Sequence, residues 1–471
     1  MHTAKLLKWH KTLLWVGGIT ILLFALSGIT HPIMTWTGPQ AVTARPPALN
    51  LTTQQLNQAL TALQQQETPA SALIKIVPFQ QDAVIQITAD AATPRTYLSL
   101  ASAPAPTDQD MALWLAAHYS GLAATASTDV TFQTHFDDAY PAVNRLLPVW
   151  QITYDNGLSL YVHTETLALA GITNPYKTRL QGFFRQAHSW QWLDGLPWLK
   201  AIVMTILLGS ALLLVLSGAW LLLRLPYQAR RRGLRRWHYA LSWLVVLPLT
   251  LYLLTGIYHF AYKYAKPETL GLSLQTATPL PGSWQIPELT TEQAKLYNSA
   301  TLVQGAQGWY WRLSEFNPAQ QADRQSRFAG QASELQARFI PLTVDAPALD
   351  DHSFALILAE RFLGLPASAF NHPQLISRFG PDYDFRNKRL PVWQLDYASG
   401  RVFIDTQTGQ LIEQQHSSSK WERYSFSFIH KWGILQPLLG RDGRDQVVVG
   451  FMVLVLLLAV LGFAMRLKRR A

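Results

Sequence analysis

The apolar residues of the chain concentrate in four blocks, at about residues 12 to 36, 197 to 223, 237 to 262 and 446 to 465. Each is close to the ~20 residues that a helix needs to cross ~30 Å of hydrocarbon. None holds an Asp or Glu, and the one Lys inside, Lys200, sits at an end. They predict four transmembrane helices, with a basic loop at 224–236 joining the second to the third. The first block also has the basic start of a secretory signal, but no clear small-x-small cleavage site follows and the pattern recurs inside the chain, so it is expected to be retained.

The long segments between, 37–196 and 263–445, change period. "SALIKIVPF", "DAVIQITA", "VWQITYD" and "LSLYVHT" alternate as half-buried strands. "TTQQLNQALTALQQQ" opens on a threonine suited to an N-cap, and "DMALWLAAHYSGL" closes on a glycine, as helices do. "YDNGL" and "YASGR" mark hairpin turns. The expectation is a small helix packed on an antiparallel sheet, as one or two units per segment. The Pro/Ala-rich 101–106 and Gln/Ala-rich 318–337 stretches read as linkers.

Charge then orients the blocks. Lys5, Lys8 and Lys11, the six arginines from Arg224 to Arg236, and Arg466, Lys468, Arg469 and Arg470 make thirteen cations with no acid among them. Elsewhere the chain has 26 Lys and Arg against 29 Asp and Glu, so the net charge of +10 belongs to helix ends. Such clusters are expected on the cytoplasmic side, which puts both termini and the 224–236 loop there and the two long segments outside. A nucleic-acid partner is not expected, because the cations track segment ends rather than one face of a folded domain.

The two halves repeat. "ALWLAAHYSGL" (112–122) matches "ALILAERFLGL" (355–365), and "FDDAYPAVNRLLPVWQITYDNG" (136–157) matches "FGPDYDFRNKRLPVWQLDYASG" (379–400) at the same offset. Both copies enter from the cytoplasm. They are therefore parallel repeats about a pseudo-two-fold axis along the membrane normal.

The duplication sorts the thirteen histidines. His10 pairs with His238, His31 with His259, and His188 with His430; His118, His135 and His163 meet Arg361, Arg378 and Asp405 instead and are taken, with the remaining four, as surface or loop residues. His10 and His31 are 21 residues apart, ~32 Å along a helix, and six turns of a 3.5-residue repeat keep them on one face. Two facing imidazoles at one depth suit the axial positions of haem iron better than a zinc site, which gathers three or four close ligands. Without cysteine, thiolate sites, iron–sulfur clusters and the attachment of c-type haem are excluded. The leading arrangement pairs His10 with His238 around a cytoplasmic-side haem. On the outer side His31, His259, His188 and His430 make one haem with two spare histidines, or two haems. Gly28 and Gly256, three residues before His31 and His259, are read as room for a flat ring.

With these residues in place, the chain resembles the PepSY-associated transmembrane proteins, a family of iron-regulated bacterial inner-membrane proteins that includes haem-containing ferric-siderophore reductases. "WHKTLLWVGG", the "LSG" that follows it, "PVWQLDYASGRVFIDTQTGQL" and "IHKWGILQPLLGRDGR" carry the resemblance, in that order, over nearly the whole chain. It implies a four-helix inner-membrane protein with periplasmic PepSY-like α+β domains and, in the reductase members, two b haems.

No dinucleotide loop, P-loop, nucleophile elbow or His-Glu-x-x-His is present, so electrons would have to come from a quinol or a separate cytoplasmic reductase. The expected protein is a haem b oxidoreductase of the ferric-chelate reductase type. It would move electrons to a periplasmic ferric chelate, such as a ferric siderophore, in iron uptake. The alternative is a haem-free, membrane-anchored scaffold or sensor whose PepSY-like domains bind a periplasmic partner. A passive transporter is disfavoured by the lack of charge deep in the blocks. "WYWR" (309–312) and the tyrosines near 383 and 397 are read as substrate contacts or core.

Overall fold

The computed structural model describes residues 3–65, 72–90, 92–101, 104–224, 233–265, 269–273, 283–287, 295–319 and 330–467. The chain forms two compact units. One comprises Met1–Gly38, Tyr176–Pro267 and Ser418–Ala471; the other comprises Pro39–Pro175 and Glu268–Ser417. Arg230 to Arg232 and Lys468 to Arg470, part of the basic clusters, lie outside the described residues.

The first unit holds the four helices that are long and apolar enough to cross a membrane: Thr3–Thr37, Pro197–Arg224, Leu234–Ala265 and the helix ending at Leu467. They are longer than the apolar blocks because polar turns extend them at their ends. The first is continuous through a π-helical turn at Leu14–Gly18. The fourth, Gln436–Leu467, bends at Gly440, whose φ of 67° is left-handed and open to glycine. The first and third helices each pack against the second and fourth. Leu14, Ile21, Ala211, Val245, Leu249 and Val455 are part of the core between them.

The second unit contains three sheets, and one corrects the expectation of a separate domain in each long segment. Its strands run β4 (Thr96–Ser99), β3 (Asp82–Thr88), β2 (Leu73–Phe79), β10 (Leu296–Gln304), β11 (Trp309–Phe316) and β12 (Glu334–Pro341), with β1 (Leu49–Asn50) also on β10. Two three-stranded meanders, one from each segment, thus join where β2 meets β10 antiparallel, Ile76 opposite Ala300 and Lys75 opposite Thr301. Ile76 and Ala300 are fully buried, and pairing covers two edges that would otherwise offer unpaired N–H and C=O groups. Each segment then forms a sheet of its own: β5 (Ser127–Gln133), β6 (Val149–Tyr154), β7 (Ser159–His163) and β8 (Ala168–Thr173), and β13 (Asn371–Ile376), β14 (Val392–Tyr397), β15 (Gly400–Asp405) and β16 (Gln410–His416), the last extended by β9 (Thr269–Ser273).

Contacts in these sheets recur at the sequence offset. The Trp150 indole donates to Asp108 at 2.8 Å and the Trp393 indole to Asp351 at 2.7 Å, tying a strand to the first turn of the helices Asp108–Ser120 and Asp351–Leu363. Tyr140 stacks on Tyr161, and Tyr383 on Phe403, at 4.4 and 4.8 Å. The predicted caps are present: Thr52 and Gln55 form a reciprocal capping box, and Gly121 ends its helix at φ 72°. Both predicted hairpins close, Tyr397 pairing with Gly400 and Tyr154 accepting from Gly157.

Two further expectations are corrected, and one pair of alternatives is decided. The stretch 318–337 is not all linker, because Glu334 opens β12 to meet the buried Arg312; residues 320–329 lie outside the described residues, as do 102–103 of the other linker. Of the two readings of "WYWR", core is the one met: Tyr310, Trp311 and Arg312, with Tyr383, are buried. His163 is buried rather than superficial, donating from or accepting at Nδ1 with the Thr166 hydroxyl at 2.7 Å.

Candidate functional site: four seated histidines

All six paired histidines lie in the helical unit, and their surroundings divide them into four and two. His10, on the first helix, reaches the second: its Nδ1 is 3.0 Å from Ser217 Oγ, and a Cβ on Gly218 would come within 3.1 Å of its Cε1. His238, on the third helix, reaches the fourth, where a Cβ on Gly462 would stand 3.7 Å from its Nε2. His10 and His238 are close enough to interact electrostatically.

His188 and His430 are seated in the same way from outside the long helices. His188 follows the short helix Pro175–Ala187, and His430 ends the π-helical turn Ser425–His430. Two residues after each comes a tryptophan in left-handed backbone, Trp190 at φ 52° and Trp432 at φ 53°, then one 3₁₀ turn and the next long helix. This tight reversal hooks each imidazole over a neighbouring helix. His188 Nδ1 is 3.0 Å from Ser27 Oγ, with Gly28 beneath at 3.7 Å from an added Cβ. His430 Nδ1 is 3.3 Å from Thr255 Oγ1 and 3.2 Å from the Tyr252 carbonyl, with Gly256 beneath at 3.2 Å.

A glycine seat thus recurs in every long helix, at Ser27-Gly28, Ser217-Gly218, Thr255-Gly256 and Leu461-Gly462. In three of them a hydroxyl meets Nδ1. Each of these hydroxyls already donates to a carbonyl one turn back, Ser27 to Leu23, Ser217 to Leu214 and Thr255 to Leu251, so it accepts from an Nδ1–H and Nε2 is left as an acceptor, the arrangement of metal-ligating histidines. Gly28 and Gly256 therefore carry His188 and His430 rather than making room beside His31 and His259. Ser27, Ser217, Thr255, Gly218 and Gly462 escape a reading by histidine pairing; the recurring hydroxyl–glycine dipeptide late in an apolar block is the signal for most of them.

His31 and His259 have no such seat. His31 is exposed and lies 5.5 Å from the Phe184 ring, which stacks on His188 at 4.8 Å. His259 stacks on Phe426 at 3.7 Å, and Phe426 on His430 at 4.8 Å. In each half a phenylalanine separates the seated histidine from the unseated one. Around these two the halves differ: His259 Nδ1 bonds the buried Glu422, whose counterpart in the first half is Leu180.

His430 lies within electrostatic range of both His188 and His259, and His31 within range of His188. Among the described residues, no three His, Asp or Glu gather as a metal cluster. Comparison with family models, with curated proteins and with solved structures finds no match.

Proposed function

We propose that the protein is a haem b transmembrane reductase of the bacterial inner membrane, built as two parallel repeats, with His10 and His238 holding one haem and His188 and His430 a second. The observation that carries this reading is the seat. Four imidazoles, two toward each end of the helical unit, rest on glycines, and three are bonded at Nδ1 so that Nε2 is the ligating atom. Haem bound by two imidazoles supplies reversible one-electron transfer.

The hydroxyls of Ser217, Ser27 and Thr255 hold the rings in register, and the glycines let them lie against the helix. The two levels are 18 residues apart on the first helix, roughly 27 Å. The apolar core between them keeps water from the path. The cationic helix ends support a cytoplasmic side for His10 and His238 and a periplasmic one for the sheet-bearing unit. The resemblance to the PepSY-associated family supports a quinol or cytoplasmic reductase as donor and a periplasmic ferric chelate as substrate, whose iron is released because iron(II) binds hard oxygen ligands more weakly.

Protein purified from haem-replete cells is expected to be red, to contain two haems per chain, and to show sharp reduced bands that a ferric chelate abolishes on reoxidation. A colourless preparation would favour the haem-free scaffold. The seats make a second prediction. Gly28→Ala leaves haem content unchanged, because its Cβ would make an ordinary contact at 3.7 Å. Gly218→Val, where one Cβ alone would already press on His10 at 3.1 Å, lowers content toward one haem per chain by pyridine haemochrome assay.

A further inference from the structure

The seats divide by half of the chain as well as by depth. With the chain parted in the 224–236 loop, His10 rests on Gly218 and His188 on Gly28, all in the first half, while His238 rests on Gly462 and His430 on Gly256, all in the second. Each half seats its own two imidazoles. The rings that come within electrostatic range at each level, His10 with His238 and His188 with His430, belong to opposite halves.

Contacts between the halves are reciprocal. In the helical unit the second helix packs on the third and the fourth on the first, each pair the repeat image of the other. In the sheet-bearing unit the shared sheet reads the same from both ends, β4-β3-β2 against β12-β11-β10, and the two strands at the seam pair antiparallel. Arg145 and Lys388 form a second joint there. They hold the same place in the repeat and share left-handed backbone, at φ 61° and 56°. Arg145 donates to Asn387 and, at 3.1 Å, to Glu413 on β16; Lys388 donates to Asn144 at 2.7 Å and to the Ala170 carbonyl on β8. Each cation thus reaches the asparagine beside the other and the matching strand of the opposite half. An interface in which i meets j and j meets i is that of a two-fold dimer.

We propose that each half-chain is a self-contained module, that the partner fitting the first module is the second, and that both haems are shared between the modules rather than held within either. The covalent link through 224–236 is then dispensable. Two first halves would match less well, because β8, Ala168–Thr173, has no acid to replace Glu413 opposite Arg145. The sharing of haems rests on the proposed function; the association of the halves does not.

The test uses the full-length protein with a protease site placed in the 224–236 loop and cut after purification in detergent. The two fragments are expected to co-elute, identified by mass, with haem content unchanged at two per pair. On dilution they should part, and both haems should leave together. Arg145→Glu, which sets two carboxylates face to face, should raise the concentration of half-separation at least about tenfold. The first half expressed without the second should carry no haem. Fragments that part as soon as the loop is cut, or a first half that keeps a haem through His31 and His188, would overturn the proposal. Co-elution needs no haem to be read, so a colourless protein whose fragments stay together would remove the haem reading and uphold the modules.

Discussion

Replacing His10 or His238 with alanine is expected to remove one of two haems per chain, and replacing His188 or His430 to remove the other, while His31→Ala and His259→Ala keep both. Each substitution at a seat takes away one of two axial ligands, and the empty Ser-Gly, Thr-Gly or Leu-Gly surface left behind offers no replacement donor for iron. Loss should be close to complete at the affected site, halving Soret absorbance per chain. His31 is exposed, and a Phe184 ring lies between it and His188. His259 is turned by its Nδ1 bond to Glu422 and stacked on Phe426, so its removal disturbs a carboxylate rather than a ligand pair. Haemochrome assay and reduced-minus-oxidised spectra of the six variants check this. If His31→Ala lost haem as fully as His188→Ala, the division into seated and unseated histidines would be wrong.

The four long helices were legible because twenty apolar residues without an acid have one economical fate in a bilayer, which needs no knowledge of neighbours. Hairpins and caps were legible for a similar reason: Thr52 with Gln55, Gly121 and the turn at Gly157 act over a few residues. The joining of β2 to β10 was not, because more than two hundred residues separate Ile76 from Ala300 and an alternating strand does not say which edge it will meet.

The candidate site divides in the same way. Duplication singled out the six histidines, but spacing along one helix could not say which neighbour a glycine faces. Gly28 seats His188 because the left-handed turn at Trp190 brings that histidine back, a tertiary event with no local periodicity. His163 was misjudged because the same alignment that marked paired histidines as special made an unpaired one look incidental. It lies buried at the end of β7, where its ring meets Thr166 and Arg95.

Glu334→Ala is expected to destabilise the sheet-bearing unit by about 3–5 kcal/mol, the cost of breaking a buried ion pair on one side, with Asp351 left as the one carboxylate on Arg312. Arg312 is fully buried on β11 and donates to Glu334 through both Nη atoms at 2.8 Å, and through Nε to Asp351 at 2.8 Å. Glu334 also accepts from Ser314 and, at 3.0 Å, from Gln407, so its removal orphans four donor groups on three side chains at once. For a unit of this size the loss corresponds to roughly 6–20 °C in the unfolding midpoint, read from the sheet signal in far-ultraviolet circular dichroism. The double variant Arg312→Met, Glu334→Leu should recover most of it, because an apolar pair asks for no desolvation of charge. Asp351 then keeps its bond from Trp393 and some access to solvent. A loss below ~1 kcal/mol in Glu334→Ala, the range of an exposed pair, would mean that water reaches Arg312 and that β11 and β12 do not close around it.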